Sequence, residues 1–230
     1  MLRAKTVKRF TGGILCKISK VVYLQELQRG SVYMNRLDYY TKRENQENGD
    51  GFLDREEGLV AKDVNITLET NGQTCVIENA SACMGMATPV FCCSVIKIPD
   101  RQDESSQEFF LDPRLIHDFS NGDSNGYGVL LISKEEFLQR VKQAADHQSL
   151  IYYMGNIQYK KFENSPENIN DFSRAIFRKD PKFAYQCEYR IALRRSIEEA
   201  FRLEIGDISD ISFRCNLDIL RHPIRVQIEK

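Results

Sequence analysis

The stretch YQCEYRIAL, residues 185–193, places Tyr185, Cys187, Tyr189, Ile191 and Leu193 on one parity and Gln186, Glu188 and Arg190 on the other. Alternation of this kind predicts a strand with its apolar face turned to a core. Side chains two apart on a strand point the same way, with roughly 6–7 Å between their Cα atoms, so Gln186, Glu188 and Arg190 form one polar row. That row has two readings. It is either a solvated edge with Glu188 and Arg190 as a weak exposed ion pair, or a set of functional groups aimed into a cleft.

Upstream, the chain opens with extended segments at Leu2 to Phe10 and Gly13 to Ile18. Ser19 then stands before a short amphipathic helix (Val22, Leu24, Leu27) that stops at Gly30. Ser31 to Asn35 alternates again, giving strand, helix, strand, followed by the aromatic LDYY. Thr41 to Gly58 is charged and Gly/Asn-containing and reads as a surface excursion. Val60 to Leu68, Gln73 to Glu78 and Pro89 to Ile98 are strand-like, with a turn signal at Asn71-Gly72, and Pro99 to Gln107 is a polar loop.

Tyr127 to Ser133 is an apolar strand that feeds a helix over Lys134 to Ala145, with Phe137, Leu138 and Val141 inward. Ser133 and Glu136 form a capping-box pattern at its start. Leu150 to Tyr159 is expected extended, Pro166 to Ile176 helical, and Ala200 to Ile205, Ile208 to Cys215 and Ile224 to Ile228 extended. Strands outnumber helices and cluster late. The fold class expected is therefore α+β, with split, mainly antiparallel sheets and flanking helices in a single domain over residues 1–230.

Composition narrows the function. The 32 Lys and Arg nearly balance 33 Asp and Glu, for a formal charge of -1, which excludes a strongly basic nucleic-acid binder as the default. No apolar run approaches the roughly 18–20 residues of a membrane span, and MLRAKTVKRF lacks the apolar core of a secretory signal. A cytoplasmic protein with no membrane partner is expected. The 7 cysteines form no C-x-x-C pair, and His117, His147 and His222 stand far apart, so no metal site is expected. Vicinal Cys92 and Cys93 face opposite ways on a strand, with no histidine or helix terminus nearby to activate either.

The acidic segment QENGDGFLDREE, residues 46–57, mimics a calcium loop, with Gly51 at the sixth position and Asn48, Asp50, Asp54 and Glu57 at the third, fifth, ninth and twelfth. Gln46 takes the first position, where a carboxylate belongs, and the following segment alternates like a strand. A solvated acidic loop is the favoured reading. The other option is that Asp54, Glu56 or Glu57 lines a cleft.

Gln-x-Glu on a late strand, downstream of an opening strand, helix and strand, resembles the signature of the ADP-ribosyltransferase superfamily. The segments GVLLISKEEF (128–137), IQY (157–159) and FRKDPKFAYQCEYRIAL (177–193) also resemble a bacterial family of domains that ends in an E-x-R strand and is thought related to that fold. In order of elements the resemblance spans Gly13 to Leu193, and its sharp part is the Gln-x-Glu triplet. It implies a split pair of sheets clasping NAD.

In that reading Glu188 is the catalytic carboxylate, which stabilises the oxocarbenium-like cation formed as the nicotinamide–ribose bond breaks. Gln186 orients the acceptor. The family also uses a cation or histidine on the first strand and a Ser-Thr-Ser-like middle strand, and the chain departs from both. Lys17 and Arg36 are the candidate substitutes for holding the NAD phosphates, and Ser94 of FCCS is the single hydroxyl in the middle strand. Tyr39 and Tyr40 are read either as stacking partners of nicotinamide or as core aromatics. Arg190, with Arg178, Lys179, Lys182, Arg194 and Arg195 around the strand, supplies positive charge for the NAD phosphates or a nucleic-acid acceptor.

The function implied by resemblance is an NAD-dependent mono-ADP-ribosyltransferase acting as a bacterial toxin or phage-defence effector. Its acceptor would be protein or nucleic acid, and an antitoxin is a further partner. The alternatives are a non-catalytic binding module on the same fold, and a metal-dependent nuclease built on the acidic loop.

Overall fold

The computed structural model describes residues 13–44, 54, 56–96, 107–109, 112–120, 126–164, 171–222 and 224–226. The chain opens β1 (Ile14–Lys20), α1 (Val21–Gln28), β2 (Ser31–Arg36) and α2 (Leu37–Glu44). A long hairpin follows, β3 (Leu59–Thr70) and β4 (Gln73–Cys83), and then β5 (Pro89–Ile96), β6 (Gln107–Phe109) and α3 (Pro113–Ser120). Next come β7 (Tyr127–Ser133), α4 (Lys134–His147), β8 (Tyr152–Asn156), β9 (Gln158–Tyr159), α5 (Phe172–Ile176), β10 (Arg178–Lys179) and β11 (Glu188–Leu193). β12 (Phe201–Glu204), β13 (Ser212–Asn216) and β14 (Ile224–Val226) complete it. The fold is mixed α+β, and among the described strands every pairing is antiparallel except β9 with β10.

β5 organises the main sheet. On one edge it pairs with β11, in the register Glu188↔Ser94 to Ala192↔Val90. Its other edge is shared: β1 pairs with residues 94–96 and β2 with residues 89–90. Beyond those contacts β1 runs on beside β7, and β2 beside β12. The sheet therefore splits opposite Phe91, Cys92 and Cys93, with α1 bridging the two arms.

Alternation sorts the strands into two faces. Leu15, Phe91, Cys93, Tyr189, Ile191 and Leu193 pack against Leu24 and Leu27 of α1 and Phe137 and Val141 of α4. On the opposite face Cys16, Ile18, Val129 and Leu131 meet Leu115 of α3, and Val90 and Ala192 meet Leu37 of α2 and Ile176 of α5. α1 ends where Gly30 adopts φ 101°, and a Cβ there would lie 2.0 Å from the carbonyl oxygen of Gly206, so only glycine lets β2 start against that loop.

Several sequence expectations are corrected. β11 begins at Glu188, because Pro181–Gln186 winds into a 3-10 turn and Cys187 is left-handed (φ 43°, ψ 44°). Ser19 lies within β1 and does not cap α1, since Lys20 holds the cap position without a side-chain bond. LDYY starts α2, which carries helix into the expected surface excursion. Of Pro166 to Ile176, the helix covers Phe172–Ile176, and residues 165–170 lie outside the described residues. β8 and β9 divide the expected strand at Ile157, and residues 208–211 form a turn ahead of β13. Leu2 to Phe10, residues 99–106 of the polar loop and most of the calcium-like loop also lie outside the described residues.

Candidate functional site

The polar row of residues 186–190 is buried. Gln186, Glu188 and Arg190 are 2%, 6% and 1% exposed, which overturns the solvated-edge reading. Two distant segments bring partners to it. Lys179 on β10 is carried in by the parallel pairing of β10 with β9, and Glu57 sits in the turn ahead of β3 and is also buried. The solvated-loop reading of that acidic segment fails for Asp54 and Glu57.

The turn that delivers Glu57 is fixed by its neighbours. The Asp54 carboxylate accepts the N–H of Glu56 at 2.9 Å and the N–H of Asp180 at 2.7 Å, tying the acidic segment to the turn just before Gln186. Gly58 follows with φ 75°, and a Cβ would meet the Met86 Sδ at 2.7 Å and the Met84 carbonyl at 2.9 Å. A side chain at position 58 would push the turn away and take Glu57 with it.

Four charges then close on one another. Lys179 Nζ lies 2.7 Å from Glu188 Oε2 and 3.1 Å from Glu57 Oε1. Arg190 Nη2 lies 2.6 Å from Glu188 Oε1 and 2.9 Å from Glu57 Oε1, and its Nε donates to Glu188 Oε1 at 2.9 Å. The remaining guanidinium nitrogen donates to the Ile176 carbonyl, and Lys179 donates to Gln186 Oε1 at 3.0 Å. The quartet is neutral, and each carboxylate touches both cations, the condition under which buried charge is tolerated.

Burial alone would raise the Glu188 carboxyl, but the Arg190 and Lys179 charges outweigh it and hold it well below the usual carboxylate range. Burial works against the Lys179 ammonium too, and Glu188 and Glu57 overcome it and push its pKa up. Glu188 is therefore an anion at any physiological pH. Burial, with Glu188 beside it, pushes the Cys92 thiol up to about 12, so that thiol is not a nucleophile.

A cavity of about 50 Å³ opens beside the quartet, bordered by Lys17, Tyr40, Ser94, Cys92, Gln186 and Glu188 among others. A larger cleft of about 410 Å³ opens between the arms of the split sheet, walled by Tyr23, Tyr33, Tyr39, Phe91 and Arg202. Lys17 and Tyr40 border both. Lys17 stands at the split itself: its Nζ donates at 2.6 Å to the Cys92 carbonyl, which neither β1 nor β2 pairs, and lies 5.0 Å from the Phe91 ring centroid. The lysine thus satisfies a backbone acceptor that the divergence of the arms exposes.

Of the expected site residues, Glu188, Gln186, Arg190, Lys17, Tyr40 and Ser94 share the smaller cavity, and Tyr39 lines the larger cleft. Tyr39 and Tyr40 stack edge to face at 5.5 Å. Arg36 is elsewhere. Its guanidinium is held bidentately by Asp38 at 2.7 and 2.8 Å and lines neither cavity, because α2 starts one residue later and places Asp38 beside it. Arg194 and Arg195 are exposed beyond β11.

Glu57 and Lys179 are the members of the quartet that the sequence did not single out as site residues. Their signal was weak: an acidic loop with an inward option, and a lysine in a basic run. Among the described residues no group of three or more His, Cys, Asp or Glu side chains is disposed to hold a metal ion, and no helix is long and apolar enough to cross a membrane. No protein-family model, curated protein or solved structure matches the chain.

Proposed function

We propose that the protein binds an NAD-type dinucleotide in the cleft between β1 and β2 and breaks its nicotinamide–ribose bond at Glu188, as an ADP-ribosyltransferase. The observation that carries this is the position of Glu188. A carboxylate held below the usual carboxylate range and the Gln186 amide border a cavity that shares Lys17 and Tyr40 with an aromatic-walled cleft of about 410 Å³, a volume within the roughly 300–1,000 Å³ typical of small-molecule sites.

In the reaction the glycosidic electron pair leaves with nicotinamide, C1′ of the ribose becomes cationic, and a nucleophile of the acceptor bonds to it and releases a proton. A fixed anion close to C1′ stabilises that cation more than the ground state, where the positive charge sits on the pyridinium ring. Lys17 and Tyr40 are the side chains common to the larger cleft and the space beside Glu188.

One observation favours a second reading, a binding module that keeps the cleft without turnover. Both Glu188 oxygens are already bonded, to Lys179 and Arg190, and the adjacent space of about 50 Å³ is too small for a ribose. Incubation with NAD labelled in the adenosine half separates the two. Label on protein or nucleic acid, or release of nicotinamide, abolished by Glu188→Gln, supports the transferase and identifies the acceptor class. Saturable NAD binding with no nicotinamide released over hours supports the module.

A further inference from the structure

The cleft between β1 and β2 needs a cation for an anionic ligand, and the two residues that resemblance offers for it are engaged elsewhere. Lys17 is spent on the Cys92 carbonyl and Arg36 on Asp38. Among the described lining residues of the larger cleft, the guanidinium is that of Arg202 on β12. Its Cζ lies 5.2 Å from the Tyr33 ring centroid, with Tyr33 directly across the ladder from it. Nη1 reaches Glu26 Oε2 on α1 at 2.9 Å and Ser31 Oγ at 3.3 Å. Glu26, Ser31 and Tyr33 line the same cleft.

Accepting the reading that a dinucleotide occupies this cleft, the geometry points to Arg202 as the residue that takes its phosphate, by exchange of the phosphate for the Glu26 carboxylate. The pair suits an exchange. Arg202 is 47% and Glu26 36% exposed at the side chain, so solvent screens their attraction and the bond is weak to break. A planar guanidinium offers two parallel donors to carboxylate or phosphate alike, and the diphosphate of a dinucleotide carries two charges against the one of Glu26. The Tyr33 ring lies within cation–π distance of the guanidinium, and the Ser31 hydroxyl beside it donates to Glu204 Oε1 at 2.7 Å, so a phosphate gains that hydroxyl only if it also draws it from Glu204. Glu26 is then a resident anion that occupies the subsite until a phosphate displaces it.

The test is calorimetric binding of NAD, ADP and adenosine to the full chain and to Arg202→Gln, Glu26→Gln and the double variant, with thermal melts to confirm that each is folded. Arg202→Gln is expected to weaken NAD and ADP at least tenfold and to leave adenosine unchanged. Glu26→Gln is expected to strengthen ADP severalfold, and this gain should vanish when Arg202 is already Gln. A purely structural ion pair would move both single variants in the same direction. The inference is overturned if Arg202→Gln binds ADP as the unmodified chain does, if the Glu26→Gln gain persists without Arg202, or if none of the three probes binds at millimolar concentration. If ADP binding follows Arg202 while NAD is never cleaved, the phosphate subsite stands and the transferase reading falls.

Discussion

Arg190 and Glu57 meet at 2.9 Å across 133 residues of chain, both essentially buried. A residue from an acidic turn near the start of β3 thereby completes the charge balance of the late strand that carries Glu188. Arg190 cannot be neutralised by deprotonation, so a buried guanidinium of this kind needs its carboxylates.

Removing one member of the quartet is expected to cost more than removing a matched pair. Glu57→Gln leaves two cations on one carboxylate and should destabilise by about 3–5 kcal/mol, which at roughly 2–4 °C per kcal/mol for a chain of this size is a drop of about 6–20 °C in melting temperature. Glu57→Gln with Lys179→Gln restores neutrality and should recover part of that loss. Calorimetric melts of the two singles and the double measure the coupling, and additive losses would refute the interdependence.

The quartet also sets a pH window. Glu188 is held below its unfolded pKa, so its stabilisation is fully present above about pH 5 and fades as acid carries the pH down from the ordinary carboxylate range of about 4.3. Lys179 is held above its unfolded value, so its share is fully present below about pH 10 and fades as the pH rises from the ordinary lysine range of about 10.4. Denaturant midpoints from pH 3 to 11 should show a plateau between these limits. Glu188→Gln should flatten the acid arm.

Cys187 spends strain to bring Gln186 and Glu188 into one cavity, since a left-handed residue with a Cβ costs about 1–2 kcal/mol. Cys187→Gly is expected to hold or gain up to about 1 kcal/mol, because glycine accepts this geometry but loses more entropy on folding. Cys187→Val, β-branched, should lose stability and disturb the Lys179 to Gln186 contact. Chemical denaturation should rank Gly at or above Cys, and Cys above Val; the reverse order would contradict the observed backbone.

Lys17→Met keeps the aliphatic stem and deletes the donor to the Cys92 carbonyl. An unpaired buried acceptor costs about 1–3 kcal/mol, and this part-buried carbonyl should cost toward the lower end, the loss appearing as faster amide exchange along β5 near the split with the β7–β13 pairing still protected. Uniform loss of protection across the sheet would argue against a local role.

Much of the architecture was legible in the sequence because it is local. Period-two alternation marked β2 and β11, a continuous apolar run marked β7, and the 3.6-residue pattern marked α1 and α4. The identity of Glu188 and Gln186 as neighbours was also legible, though by a route that proved different. The sequence argument took them as alternate residues of one strand, and the chain instead reaches the same juxtaposition through a 3-10 turn and a left-handed Cys187. Arg36 lies away from both cavities for a reason that spacing does not reveal. A cation is available to a ligand only if no nearer carboxylate holds it, and the helix that follows β2 puts Asp38 there.

By itself, the order of residues determined the mixed α+β class, most of the long strands, and that a polar row runs through residues 186–190. Whether that row meets water or is buried was decided only in three dimensions, when Glu57 and Lys179 arrived from remote segments. Burial of a charge depends on the summed field of all its neighbours, and those neighbours are set by how sheets and turns pack, not by the residues adjacent along the chain.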